Sequence, residues 1–93
     1  MNQQQPTKKL MVSGGSPVTS LAGSIVKCYD SGERNIELRA IGASSVNQMY
    51  KALATARGIF SQRGLDLTVK PGYSDTEIDG KKRTVMLAKL VIQ

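Results

Sequence analysis

A change of hydrophobic period around Gly42 constrains this chain more than any other feature. Ile36, Leu38 and Ala40 alternate with Glu37 and Arg39 as in a half-buried strand, whereas Val46, Met49, Tyr50, Leu53 and Phe60 recur at helical intervals. A strand must therefore turn directly into a helix, with Gly42 allowing the turn and Ser44 or Ser45 expected as the cap. The first N–H groups of such a helix have no intrahelical acceptor and stand at the positive end of its dipole, so this turn is a candidate anion site. Ala52, Ala54 and Ala56 between the large residues let other elements approach closely, and the solvated stripe runs through Asn47, Lys51, Thr55, Gly58 and Gln62.

The same pattern occurs upstream. Leu10, Met11 and Val12 form a short strand ending at Ser13-Gly-Gly-Ser16, and Pro17 suits the first turn of a helix with Ser16 as its cap. Val18, Leu21, Ala22, Ile25, Val26 and Tyr29 are its apolar stripe, while Gly32 and Gly64 stop the two helices as left-handed caps. After Gly64 the period becomes two. Leu65, Leu67 and Val69, then Val85 to Ile92, read as strands, joined through a protruding arm with a hairpin turn at Asp79-Gly80 and the basic triplet Lys81, Lys82, Arg83. The order strand, helix, strand, helix, strand, strand predicts an α+β fold in which right-handed crossovers lay both helices on one face of a four-stranded mixed sheet. The other face, with Lys9, Met11, Glu37, Arg39, Asp66, Thr68 and Lys70, is too polar for a second core. Residues 1–7 are a polar lead-in expected to be disordered alone, and residues 8–93 one domain.

Charge narrows the partner. Thirteen Lys and Arg against seven Asp and Glu give 93 residues a net charge of +6, which favours polyanions, nucleic acid first. Only 22% of residues are charged, so contact is expected through a defined patch. Histidine is absent and cysteine occurs once, at Cys28, which excludes a His-based triad, a cysteine-rich zinc site and an intrachain disulfide framework. The cysteine usage points to a cytoplasmic setting, nucleoid-associated if the polyanion is DNA. No stretch approaches the ~18 apolar residues of a membrane span, and no apolar region follows the N-terminal charges as in a signal peptide. Asp75, Glu77 and Asp79 share a strand face but lack the ligand order of a calcium loop and any accompanying nucleophile, so no metal, cofactor or catalysis is expected.

Val12-Ser-Gly-Gly-Ser-Pro-Val-Thr-Ser-Leu-Ala-Gly-Ser24, Ile36 to Gly42 running into Val46-Asn-Gln-Met-Tyr-Lys-Ala52, Ala56-Arg-Gly58, and Ile78-Asp-Gly-Lys-Lys-Arg-Thr84 fall in the order and spacing of one family. From Leu10 to Gln93 the chain resembles the bacterial stage V sporulation protein S family, which in turn resembles the Alba chromatin proteins in fold. Alba proteins are dimers that bind DNA and RNA. The resemblance implies a two-layer Alba-like β-α-β-α-β-β sandwich without enzymatic activity, a homodimer able to form higher assemblies, and a role in sporulation or development. It also implies binding to DNA or RNA, and with a lone candidate stacking residue, backbone electrostatics without sequence readout is expected to dominate that binding.

Carried over residue by residue, the resemblance gives a candidate surface. Alba proteins carry two lysines before the proline of the first turn; here Gly15 and Ser16 precede Pro17, leaving backbone N–H groups and the Ser16 hydroxyl to meet a phosphate. Gly42, Ser44, Ser45, Asn47 and Lys51 line the phosphate path, and Lys81, Lys82 and Arg83 correspond to the arm that reaches into a minor groove. Tyr73 at the arm's root is a candidate stacking residue, since Tyr29, Tyr50 and Phe60 fall on predicted core stripes. The dimer is expected to be built from the second helix and the final hairpin, with Met49, Ala52, Ala56, Ile59 and Phe60 as its contacts. The same residues also read as turns, caps, a solvated helix face and an arm neutralised by Asp75, Glu77 and Asp79. A protein-interaction or self-assembling scaffold, using the arm and a free strand edge, is the alternative function, and a small-molecule site at Gly14-Gly15 a third.

Overall fold

In the computed structural model, which describes residues 6–93, the chain runs β1 (Lys8–Val12), α1 (Val18–Asp30), β2 (Ile36–Ile41), α2 (Ala43–Ser61), β3 (Leu67–Ile78) and β4 (Lys81–Ile92). The sheet order is β1-β2-β4-β3, with β1 and β2 parallel and the other neighbours antiparallel. This is the expected α+β architecture. Pro6 and Thr7 are exposed and irregular, while the expectation for residues 1–5 lies outside the described residues.

One face of the sheet carries the core. Val12, Ile36, Leu38, Ala40, Leu67, Ala88 and Leu90 pack beneath Leu21, Ala22, Ile25, Met49, Leu53 and Phe60 of the helices. Ala52 and Ala56 are fully buried, so their small side chains let α1 come close to α2. Phe60 is the largest fully buried side chain and meets the Tyr29 ring edge-on at 5.2 Å.

Both helices stop as expected. Gly32 and Gly64 adopt φ +96° and +75°; Gly32 and Glu33 donate to the carbonyls of Tyr29 and Cys28, and Gly64 and Leu65 to those of Ser61 and Phe60. These paired bonds are Schellman closures, which need a left-handed residue at that place. Both helices start differently from expectation. The residue before α1 is Pro17 and before α2 Gly42, and no side chain caps either. Strand β2 continues to Ile41, and only a glycine at φ +92° turns the chain into α2 at once, so Ser44 and Ser45 fall inside the first turn instead of ahead of it. Ser16 fails as a cap because its hydroxyl turns back: it accepts from the Ser13 N–H at 2.9 Å and bonds the Ser13 hydroxyl at 3.0 Å.

The far ends of α1 and α2 are tied by Arg63, which donates to both Asp30 oxygens at 2.7 and 3.3 Å. This hydrogen bond holds the Asp30 carboxyl below its ordinary pKa. A carboxyl whose folded pKa is depressed stabilises the fold fully above the unfolded carboxylate range, and that stabilisation is lost as pH falls through the folded value. An NMR titration is expected to show Asp30 titrating below the usual aspartate range, with Arg63→Gln returning it to normal.

Candidate nucleic-acid interface

Because β1 and β2 are parallel, the turns that follow them lie side by side at one end of the sheet. Ser13 to Ser16 form a tight turn, the Ser16 N–H donating to the Ser13 carbonyl at 3.1 Å. Gln48 of α2 donates to the Ser16 carbonyl at 2.8 Å, fastening this turn to the second helix. Gly14 is there for lack of space: a methyl group on it would stand 2.6 Å from Ser44 Oγ and 3.1 Å from Ser44 Cβ. Gly14→Ala is therefore expected to destabilise the fold by about 1–2 kcal/mol, and by less in a Ser44→Ala background, as a thermal double-mutant cycle would show.

The start of α2 is open. Gly42, Ala43 and Ser44 are exposed, no acidic residue occupies the first turn, and no side chain satisfies its N–H groups. Ser44, Asn47 and Lys51 are all exposed and, three and four residues apart, share one face of the helix. Ser45 does not join them. It is buried, 8% exposed, on the side of α2 that meets the core.

The arm leaves from the same end. Ile41 is the last residue of β2 to pair with β4, opposite Val85, so Asp75 to Ile78 and Lys81 to Thr84 pair only with each other. Asp79 and Gly80 at φ +52° and +76° make the two-residue type I′ turn that the sequence predicts. Alternation then sorts the charges. Lys82 stands opposite Glu77 and reaches Asp75 at 3.5 Å, so it is largely answered within the arm. Arg83 and Lys81 lie opposite Thr76 and Ile78 and make no ion pair among the described residues. Tyr73 is 72% exposed at the arm's root.

Four of the expected dimer contacts belong instead to the chain's own core. Met49, Ala52, Ala56 and Phe60 are buried beneath α1 and against the sheet, and only Ile59 of that set is half exposed. Sequence periodicity gave α2 one apolar stripe and could not say which part of it faces inward. Tyr50 moves the opposite way: expected in the core, it is 74% exposed, at the rim of an apolar groove of about 500 Å³ between α2 and the hairpin. Leu53, Val69, Pro71 and Met86 line this groove. The hairpin was expected to contribute, but which of its residues do was not legible, because the pairing of β3 with β4 decides which of their alternating residues face α2.

The positive charge is not gathered into one surface. Lys51 stands on the helix side, while Lys81 and Arg83 alternate in step with Lys89 along β4 and so project from the helix-free side, as do Lys9, Lys70 and Lys89. No group of three His, Cys, Asp or Glu able to hold a metal exists among the described residues, and no helix is long and apolar enough to cross a membrane.

The fold is similar to that of Alba from Thermoplasma volcanium, with a TM-score of 0.62 over 92% of this chain and 99% of that one, at 10% identity. Residues 8–93, which hold every strand and helix described above, match the model of the family described as Stage V sporulation protein S: the chain belongs to the stage V sporulation protein S family.

Proposed function

We propose that this chain is a non-enzymatic protein of sporulation or development that binds DNA or RNA through phosphate contacts, as a homodimer. One observation carries the reading: the open α2 start with Ser44 and Asn47 lies at the sheet end from which the arm leaves, with Lys51 two turns further along α2 and Arg83 and Lys81 on the other face of the arm. Unsatisfied N–H groups at Gly42 and Ala43, with the Gly14-Gly15 turn packed against Ser44, donate to a phosphate, and Lys51 and the arm supply charge. Tyr73 offers a ring to an unstacked base. The likeness to Alba from Thermoplasma volcanium supports the reading at the level of fold.

The dimer is proposed at the groove between α2 and the hairpin, with Tyr50, Leu53, Val69 and Met86 replacing the buried residues first expected there. Met86 is 37% exposed, so Met86→Glu leaves the monomer folded and is expected to shift sedimentation from dimer to monomer.

Filter binding with duplex DNA, single-stranded DNA and RNA at two salt concentrations tests the main reading. Affinity for at least one polymer should fall steeply as salt rises. Indifference to all three at low salt would replace it with the scaffold reading, which rests on the free outer edges of β1 and β3.

A further inference from the structure

The helix-free face of the sheet carries a cationic patch that the nucleic-acid reading leaves unused. Residues directly opposite each other on paired strands share a face, and the pairs Lys9↔Glu37, Glu37↔Lys89 and Lys89↔Lys70 form one row across all four strands. With neighbouring strands about 4.8 Å apart, three exposed lysines stand within about 15 Å, two of them side by side. Glu37, the single acid of the row, is taken: it accepts from Arg39 Nε at 2.8 Å. Directly opposed like charges weaken a sheet, so Lys70 against Lys89 is an arrangement that folding alone does not favour.

The next row on this face is Met11, Arg39, Leu87 and Gly72. Met11 is 63% exposed, Leu87 half buried, and Gly72 adds no side chain, so two aliphatic side chains flank Arg39, whose charge Glu37 answers, beside the lysines. No aromatic residue lies on this face. Tyr29, Tyr50 and Phe60 are on the helices, and Tyr73 stands opposite Met86 on the helix side of the sheet. A stacking platform for bases is thus missing. Arg83 and Lys81 project from the same face of β4, but six residues, about 20 Å, separate Arg83 from Lys89, with Val85 and Leu87 between them. Closely spaced ammonium groups next to aliphatic side chains complement a polypeptide in which carboxylates alternate with aliphatic side chains.

We propose that the open sheet face docks an acidic, aliphatic-bearing segment of a partner protein, with Lys9, Lys70 and Lys89 meeting its carboxylates and Met11 and Leu87 its apolar side chains. The probes are an alternating Glu-Leu copolymer, poly-L-glutamate and duplex DNA. The copolymer is expected to bind more tightly than poly-L-glutamate and to shift the amide NMR signals of Met11, Leu87 and Lys89. Lys9→Gln, Lys70→Gln and Lys89→Gln combined should weaken the copolymer roughly tenfold and duplex DNA far less. The same variant should melt higher than wild type at low salt, because it removes the opposed lysines. Copolymer binding no tighter than poly-L-glutamate, or shifts confined to the α2 start and the arm, would overturn the proposal. Equal loss of copolymer and DNA would also overturn it, making the patch a nucleic-acid surface, and a lower melting temperature would remove its premise.

Discussion

Replacing Lys81, Lys82 and Arg83 together by alanine is expected to weaken duplex binding by roughly a hundredfold at low salt and to flatten the slope of log affinity against log salt by about two for each arm. Three cations are removed but only two count fully. Lys82 faces Glu77 and reaches Asp75, so much of its charge is already answered, whereas Arg83 and Lys81 on the other side of the arm have no acidic partner among the described residues. Arg83→Ala alone should therefore cost more affinity than Lys82→Ala, a ranking that the bare triplet in the sequence does not contain. Circular dichroism should not change, because all three side chains are exposed and the type I′ turn holds the arm's register. A triple variant with the wild-type salt slope would remove the arm from the binding surface.

Phe60→Ala is expected to destabilise the protein by about 3–5 kcal/mol, the range for emptying a buried aromatic site. Phe60 has no exposed surface, and its ring meets Tyr29 and lies under the Arg63 guanidinium at 5.9 Å. Against a total of roughly 5–15 kcal/mol for a domain of ordinary stability, this leaves little margin. Urea unfolding should show a much lower midpoint with an unchanged slope, while Phe60→Leu, which keeps most of the volume, should cost less than half as much. A small loss for Phe60→Ala would mean that α1 and α2 collapse into the vacated space.

The fold was legible because each element carries its own punctuation. Gly32 and Gly64 end helices in the left-handed conformation, Asp79-Gly80 makes the arm's turn, and the period changes from two to helical across Gly42. The α2 start was located, but its cap was not: serine was expected, whereas continuity of β2 through Ile41 left glycine as the turning residue. Facing was the least legible property. Tyr50 and Phe60 look equivalent in a helical stripe, yet one is 74% exposed and the other fully buried, since the placement of α1 and the sheet around α2 depends on contacts distant in sequence. The groove and the lysine row share that cause, because both depend on strand register, to which β1, β2, β3 and β4 all contribute.

The strand order carries a last consequence, for assembly in time. β4 occupies an interior place between β2 and β3, so β3 has no strand to pair with until β4 arrives. A nascent chain halted before Lys81 holds β1, β2 and both helices but has nowhere to put β3, and the part of the hydrophobic floor made by Ala88 and Leu90 is still missing. Folding is therefore a late, nearly all-at-once event, governed by closure of contacts across most of the chain's length.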